Sequence, residues 1–157
     1  MIRATGIRKA FNRGGVNEVT ALAGVDLRVA EGQFVTIIGS NGAGKSTFLN
    51  ALAGCFPLDA GKIEMAGRDV TRWPEHRRAA LVGRVFQDPL MGTCAGATIE
   101  QNLALAMKRG KSRGLGPGVK RRWRAEFRDK LAWLDLGLED RLKDSAGLLS
   151  GGQRQAL

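Results

Sequence analysis

Residues 39–46, Gly-Ser-Asn-Gly-Ala-Gly-Lys-Ser, constrain this chain more than any other stretch, because a glycine, four residues and then Gly-Lys-Ser is a phosphate-cradling loop when it joins a strand to a helix. Ahead of it, Phe34-Val35-Thr36-Ile37-Ile38 is a short, nearly continuous apolar run, as expected for a strand buried on both faces. Behind it, Phe48, Leu49 and Leu52 share one face of a helix over residues 45–53, which Gly54 would close. Glycines at 39, 42 and 44 let the backbone turn tightly enough for successive N–H groups to face one concavity, with Ser40, Asn41 and Ala43 completing the loop. The helix starting near Lys45 aims its positive end at the same place. A phosphate chain fits there, with Lys45 over the β- and γ-phosphates, the Ser46 hydroxyl on Mg²⁺ and Thr47 adding a hydrogen bond. A glycine turn with no ligand would not call for Lys45-Ser46 at this spacing.

At 157 residues the chain suits one soluble domain. Its longest apolar stretches, 34–38 and 103–107, fall far below the roughly 20 residues that cross a bilayer. Met1-Ile2-Arg3-Ala4-Thr5-Gly6 lacks the apolar run of a signal peptide, which predicts a cytoplasmic address. Cys55 and Cys94, with the lone His76, are too few for a structural zinc site and read as small buried or semi-exposed thiols. A formal charge of +10 raises nucleic acid, an anionic lipid surface or a phosphate-rich ligand as partners. The excess concentrates in Lys108, Arg109, Lys111, Arg113, Lys120, Arg121, Arg122, Arg124 and Arg128, against the single acid Glu126. This block is a solvated face, or a contact for lipid head groups, a membrane partner or nucleic acid.

Strands are expected over 2–8 and 19–29, the latter with Leu22, Val25, Leu27 and Val29 facing inward, and over 61–67 between glycine turns. Residues 81–86 form a second candidate core strand, ended by Gln87-Asp88-Pro89, and Trp73-Pro74-Glu75 opens a short helix. Thr98 with Gln101 makes a capping-box pattern ahead of a helix carrying Ile99, Leu103 and Met107. After a glycine-rich basic loop at 110–118, a second helix carries Trp123, Phe127, Leu131 and Leu134 on one stripe, and the two helices should pack together.

Leu149-Ser150-Gly151-Gly152-Gln153-Arg154-Gln155 is a second anion site in physical character: Ser150 is a good N-cap, and the N–H groups of Gly151, Gly152 and Gln153 begin a helix. One phosphate chain does not need two cradles on one subunit. The stretch resembles, residue for residue, the signature of ABC transporter nucleotide-binding subunits. In that family the signature of one subunit faces the γ-phosphate held by the partner's loop, so the resemblance implies a head-to-tail pair with two ATP molecules between them. Val85-Phe86-Gln87-Asp88 looks like the family's Q-loop, which implies that Gln87 contacts Mg²⁺ or the attacking water and hinges the helical lobe. Phe11 sits where the family places an aromatic that stacks on adenine, and core packing is its other reading.

The resemblance implies an α/β fold, a P-loop NTPase core of ABC type with an N-terminal antiparallel β subdomain and an α-helical lobe. Its parts would be residues 1–88 for the β subdomain and P-loop core, 89–148 for the helical lobe, and 149–157 for the signature and the start of its helix. The sequence stops before the family's Asp-Glu strand and switch histidine, so the fold is expected to be incomplete at the C-terminus, to expose apolar edge near residues 34–38 and to hydrolyse ATP hardly at all. Implied cofactors are ATP and Mg²⁺. Implied partners are transmembrane permease subunits, a second nucleotide-binding subunit and, indirectly, a solute-binding protein, at the cytoplasmic face of the inner membrane. Solute import is expected and nucleic acid is not. The alternative is a non-transport ABC-type ATPase acting on nucleic acid or ribosomes, which the basic charge would suit.

Overall fold

Two long antiparallel strands, β1 (Ile2–Phe11) and β2 (Val19–Val29), begin the chain. The computed structural model describes residues 1–111 and 114–157, so Arg113 of the basic block and part of its glycine-rich loop lie outside the described residues. After helix α1 (Lys45–Ala53), β3 (Ala60–Met65) returns to pair with the other side of β1, and the short β4 (Arg68–Asp69) closes a hairpin on β3. The sheet order is β2-β1-β3-β4, antiparallel throughout. The hairpin turn is Ala66-Gly67, both at positive φ (49° and 74°), the backbone that a two-residue turn between twisted strands requires.

The inward positions of this sheet pack on α1. Ala4, Ile7, Leu22, Ile63, Met65 and Val70 meet Phe48, Ala51 and Leu52 in one buried cluster. The helical face seen in the sequence is therefore rotated slightly: Leu49 is 53% exposed, and Ala51, three residues from Phe48, takes the inner position. Arg78, at the end of α2 (Glu75–Arg78), is buried at the C-terminal end of α1, where it donates to the carbonyls of Ala51 (2.7 Å) and Leu52 (3.0 Å). Pro74 stands just outside α2 as its N-cap.

The polypeptide divides into two units, Met1–Val82 and Gly83–Leu157. The second is built on α3 (Ile99–Met107) and α4 (Trp123–Ala132), which contact each other as the stripes require. Thr98 and Gln101 cap α3 reciprocally, the side chain of each accepting from the other's backbone N–H. Ile99, Ala104, Phe127, Leu131, Leu138, Leu142, Ala146 and Leu149 form the core, flanked by Leu103, Met107 and Trp123. Leu134 falls beyond the end of α4 and is 39% exposed, so the stripe ends one turn early and Leu138 fills the core instead.

Two expected core strands are absent among the described residues. Residues 33–40 carry no ladder, with Phe34 and Ile38 each about nine-tenths exposed, and residues 82–86 likewise form no strand, with Val85 78% exposed. A strand apolar on both faces takes its hydrogen bonds from neighbours on each side, and neither stretch has such a neighbour among the described strands. Apolar surface is exposed at residues 34–38 as expected, but on a segment outside the sheet rather than along the edge of a strand. Both cysteines are exposed, more open than the buried or semi-exposed thiols expected.

Candidate nucleotide site

Glycine makes the loop at residues 39–46 possible. Gly42 and Gly44 stand at φ 82° and 83°, a region that costs an L-residue roughly 1 kcal/mol or more. At Gly44, the N-cap of α1, a methyl group would also lie 2.6 Å from the Ala21 carbonyl oxygen of β2. The loop is thus pressed against the sheet at its helix end and open at Gly42, where an added methyl would meet nothing within 4 Å.

The Lys45 side chain folds back across the loop and donates to the carbonyl oxygens of Gly39 (2.6 Å) and Ser40 (2.7 Å). The loop is closed from within by the Ala43 N–H donating to the Ser40 carbonyl, and α1 begins with the Phe48 N–H donating to Gly44. Among the described residues, none accepts from the backbone N–H groups of Gly42, Gly44, Lys45 or Ser46. An ammonium group, unused backbone donors and a helix N-terminus therefore share eight residues, a donor set that fits a phosphate chain. Ser46 is exposed and Thr47 half-buried on the first turn of α1, so the hydroxyl of Ser46 is open to an ion. Asn41 is exposed at the turn of the loop.

Phe11 ends β1 in the same unit, 37% exposed, with its ring edge-on to Phe56 at 5.3 Å between centroids and 82° between planes. Lys9 holds its ammonium 5.4 Å from that ring. Both readings of this residue meet here: one part of the ring packs and another remains open.

Gln87 and the signature belong to the second unit. Gln87 is exposed, and its side chain has no hydrogen-bond partner among the described residues. Asp88 accepts from the Leu90 N–H (2.8 Å), capping a single helical turn at Pro89–Met91. This turn packs against α5 (Gly151–Ala156), and Gln155 donates to the Phe86 carbonyl at 3.2 Å, so the stretch around Gln87 and the signature helix are tied together. Sequence reasoning gave Gln155 no role; a long amide one turn beyond the N-cap was its only signal.

Ser150 caps α5 as expected, its hydroxyl accepting from the Gln153 N–H (3.3 Å) while Gln153 accepts from the Ser150 N–H (3.2 Å). Of the three N–H groups expected to face an anion, that of Gln153 is thereby used within the chain. Those of Gly151 and Gly152 are exposed and accepted by none of the described residues. Arg154 points inward, donating twice to the Ala146 carbonyl (3.0 and 3.2 Å), which anchors the helix from below.

The family model described as ABC transporter matches residues 22–157. A tyrosine transport ATP-binding protein of Clostridioides difficile is 35% identical over all of this chain and 62% of its own length. A methionine import ATP-binding protein of Rhizobium johnstonii is 33% identical over 99% of this chain and 40% of its own length. Among solved structures, the dimeric ATP-binding cassette MJ0796 bound to ADP and Pi superposes with a TM-score of 0.77 at 28% identity, covering 99% of this chain and 66% of that one. The chain thus spans less than two thirds of the length of these relatives.

Proposed function

This chain belongs to the ABC transporter ATP-binding family, and from that membership we propose that it carries the phosphate-binding and signature parts of an ATPase subunit that drives solute import. The observation that carries the reading is the loop at residues 39–46, where the Lys45 ammonium is held on two loop carbonyls and the N–H groups of Gly42, Gly44, Lys45 and Ser46 have no acceptor among the described residues. On nucleotide binding, Lys45 exchanges the Gly39 and Ser40 carbonyls for phosphate oxygens, and Gly42, Gly44 and Ser46 turn their N–H groups to the same chain. Gly39, Ser40, Asn41 and Ala43 set the backbone path of the cradle. Thr47 adds a donor from the first turn. Ser46 would hold Mg²⁺, which would supply neutralising charge for the phosphates, and Gln87 would contact Mg²⁺ or the attacking water as its Q-loop resemblance implies. Phe11 stacks on the adenine ring.

Ser150, Gly151, Gly152 and Gln153 serve a second nucleotide-binding subunit, whose γ-phosphate meets the two free glycine N–H groups, while the Ser150–Gln153 cap keeps that helix end formed. The likeness to a dimeric cassette supports this pairing. The Gln155 bond to Phe86 gives a route by which a change at the signature is felt beside Gln87 and, through residues 89–148 as a helical lobe, at permease subunits on the cytoplasmic face of the inner membrane. A solute-binding protein would meet the permease rather than this chain. The methionine import relative supports the inward direction.

Mg-ATP titration of the chain and of Lys45→Ala tests the reading. Loss of a charge-assisted hydrogen bond, worth about 1.5–3 kcal/mol, weakens binding by at least roughly tenfold. Equal affinity in a folded Lys45→Ala variant would sink the site assignment.

A further inference from the structure

We propose that the basic face formed by Lys108, Arg109, Lys111, Lys120, Arg121 and Arg122 is a docking surface for anionic phospholipid head groups. No acid interrupts residues 108–122. The nearest carboxylates on either side are already engaged: Glu100 with Arg124 at 2.6 Å, and Glu126 with Lys130 at 2.8 Å. Asp129 lies further along α4 and is exposed. Five of the six cations are exposed.

The position of three of them is the second observation. Lys120, Arg121 and Arg122 lead directly into α4, with Arg122 as its N-cap and no side-chain cap hydrogen bond. A helix N-terminus is the positive end of the dipole and favours acids, so three cations there oppose it. An external anion reverses that penalty. The two ends of the basic stretch also converge, because the ammonium groups of Lys108 and Lys120 lie 5.9 and 5.4 Å from the ring of Trp123. That convergence concentrates charge that the sequence spreads over fifteen positions.

A lipid surface suits this face better than nucleic acid. Unpaired bases of a single strand bind by stacking on an open aromatic platform. Trp123 is half-buried, flanked by the two lysines and by Phe127 at 6.4 Å, so it offers none. What is exposed instead is aliphatic: Leu105 is 60% exposed, and Leu115 projects fully into solvent. Leu105 and Lys108 border a recess of about 380 Å³ with Gly118 and Val119. Basic residues around protruding aliphatic side chains match the boundary between phosphate head groups and acyl chains.

The test is sedimentation of the chain with vesicles of phosphatidylcholine alone or mixed with phosphatidylglycerol, across a salt series. Binding is expected to the anionic vesicles only and to weaken steeply with salt. Reversing Arg109, Lys111, Arg121 and Arg122 to Glu together lowers the affinity by at least about a hundredfold, since each basic side chain near an anionic surface is worth roughly fivefold. A variant with the same charge change elsewhere, R3E/R13E/R28E/R68E, keeps most of the binding. Leu115→Ser weakens it several-fold with the salt slope unchanged. Should the fourfold reversal lose its circular dichroism spectrum, Arg121→Gln with Arg122→Gln carries the same comparison. Equal losses in both charge variants, binding to neutral vesicles, or an RNA oligonucleotide that binds more tightly and displaces the vesicles would each overturn the proposal. It stands apart from the nucleotide reading, because Lys45→Ala leaves vesicle binding intact.

Discussion

At the scale of single residues, what was legible depended on whether a side chain's role is set by its neighbours in sequence. Lys45, Ser46 and Ser150 were legible because a loop or cap is a local object, written within eight residues. Arg78 was not. It lies 2% exposed and donates to four carbonyls, those of Trp73 (3.0 Å), Thr71 (2.8 Å), Ala51 (2.7 Å) and Leu52 (3.0 Å), the last two more than twenty positions away. Desolvation lowers its pKa from the ordinary arginine value, with Cys55 and Asp69 opposing that shift. A guanidinium is one of few groups that can serve the end of α1 and the turn before α2 at once. Space is tight as well: a methyl group on Gly54 would come within 2.9 Å of the Arg78 side chain. Arg78→Met fills similar volume but leaves the Thr71, Trp73 and Leu52 carbonyls without that donor, the Ala51 carbonyl keeping the Gly54 N–H, and should lower unfolding stability by about 2–4 kcal/mol. Chemical denaturation checks this; a loss below roughly 0.5 kcal/mol would mean that the carbonyls find other donors.

Elements followed a similar division. The helices α1, α3 and α4 and the strands β1 to β3 announce themselves through periodicity, because each buries one face against a neighbour. Residues 34–38 and 81–86 gave an equally good apolar signal, but that signal reports only that a segment can be buried, not that partner strands exist to bury it. Joins between elements were also invisible. Asp59, just ahead of β3, reaches β1: its carboxylate accepts from the Ala10 N–H at 2.6 Å, with Lys9 at 3.6 Å, while its own N–H donates to the Arg8 carbonyl. The Ala10 hydrogen bond is the main reason its pKa lies below the ordinary carboxylate value, helped by Lys9 and Arg13 against the opposing cost of burial. A carboxyl group whose folded pKa is depressed stabilises the fold above its unfolded pKa of about 3.9, and that contribution is lost as pH falls through the folded value. Asp59→Asn should therefore melt below wild type at neutral pH, with the gap closing under acid conditions. Melting curves that stay parallel from pH 7 into the acid range would remove the carboxylate from the account of how β1 and β3 are joined.

On the scale of the whole molecule, the chain presents apolar surface that a folded protein ordinarily covers. Phe34, Val35, Ile37 and Ile38 are between 37% and 91% exposed, and they fall in a run that lacks charge and proline. Phe-Val-Thr-Ile-Ile is rich in aromatic and β-branched residues, and its backbone is unpaired by any strand among the described residues. Such a segment pairs readily with a copy of itself, since each chain can supply the hydrogen bonds and the apolar face that the other lacks. The net charge of +10 opposes association at low ionic strength, and salt screens that repulsion while leaving the apolar attraction in place. Self-association of this chain should therefore rise with both protein concentration and salt, which light scattering reads directly. Ile38→Lys places a charge in the run without touching the loop that follows, and should suppress the scattering while preserving the circular dichroism spectrum. If scattering instead falls as salt is added, charge rather than apolar surface holds the assemblies together, and residues 34–38 are not their seat.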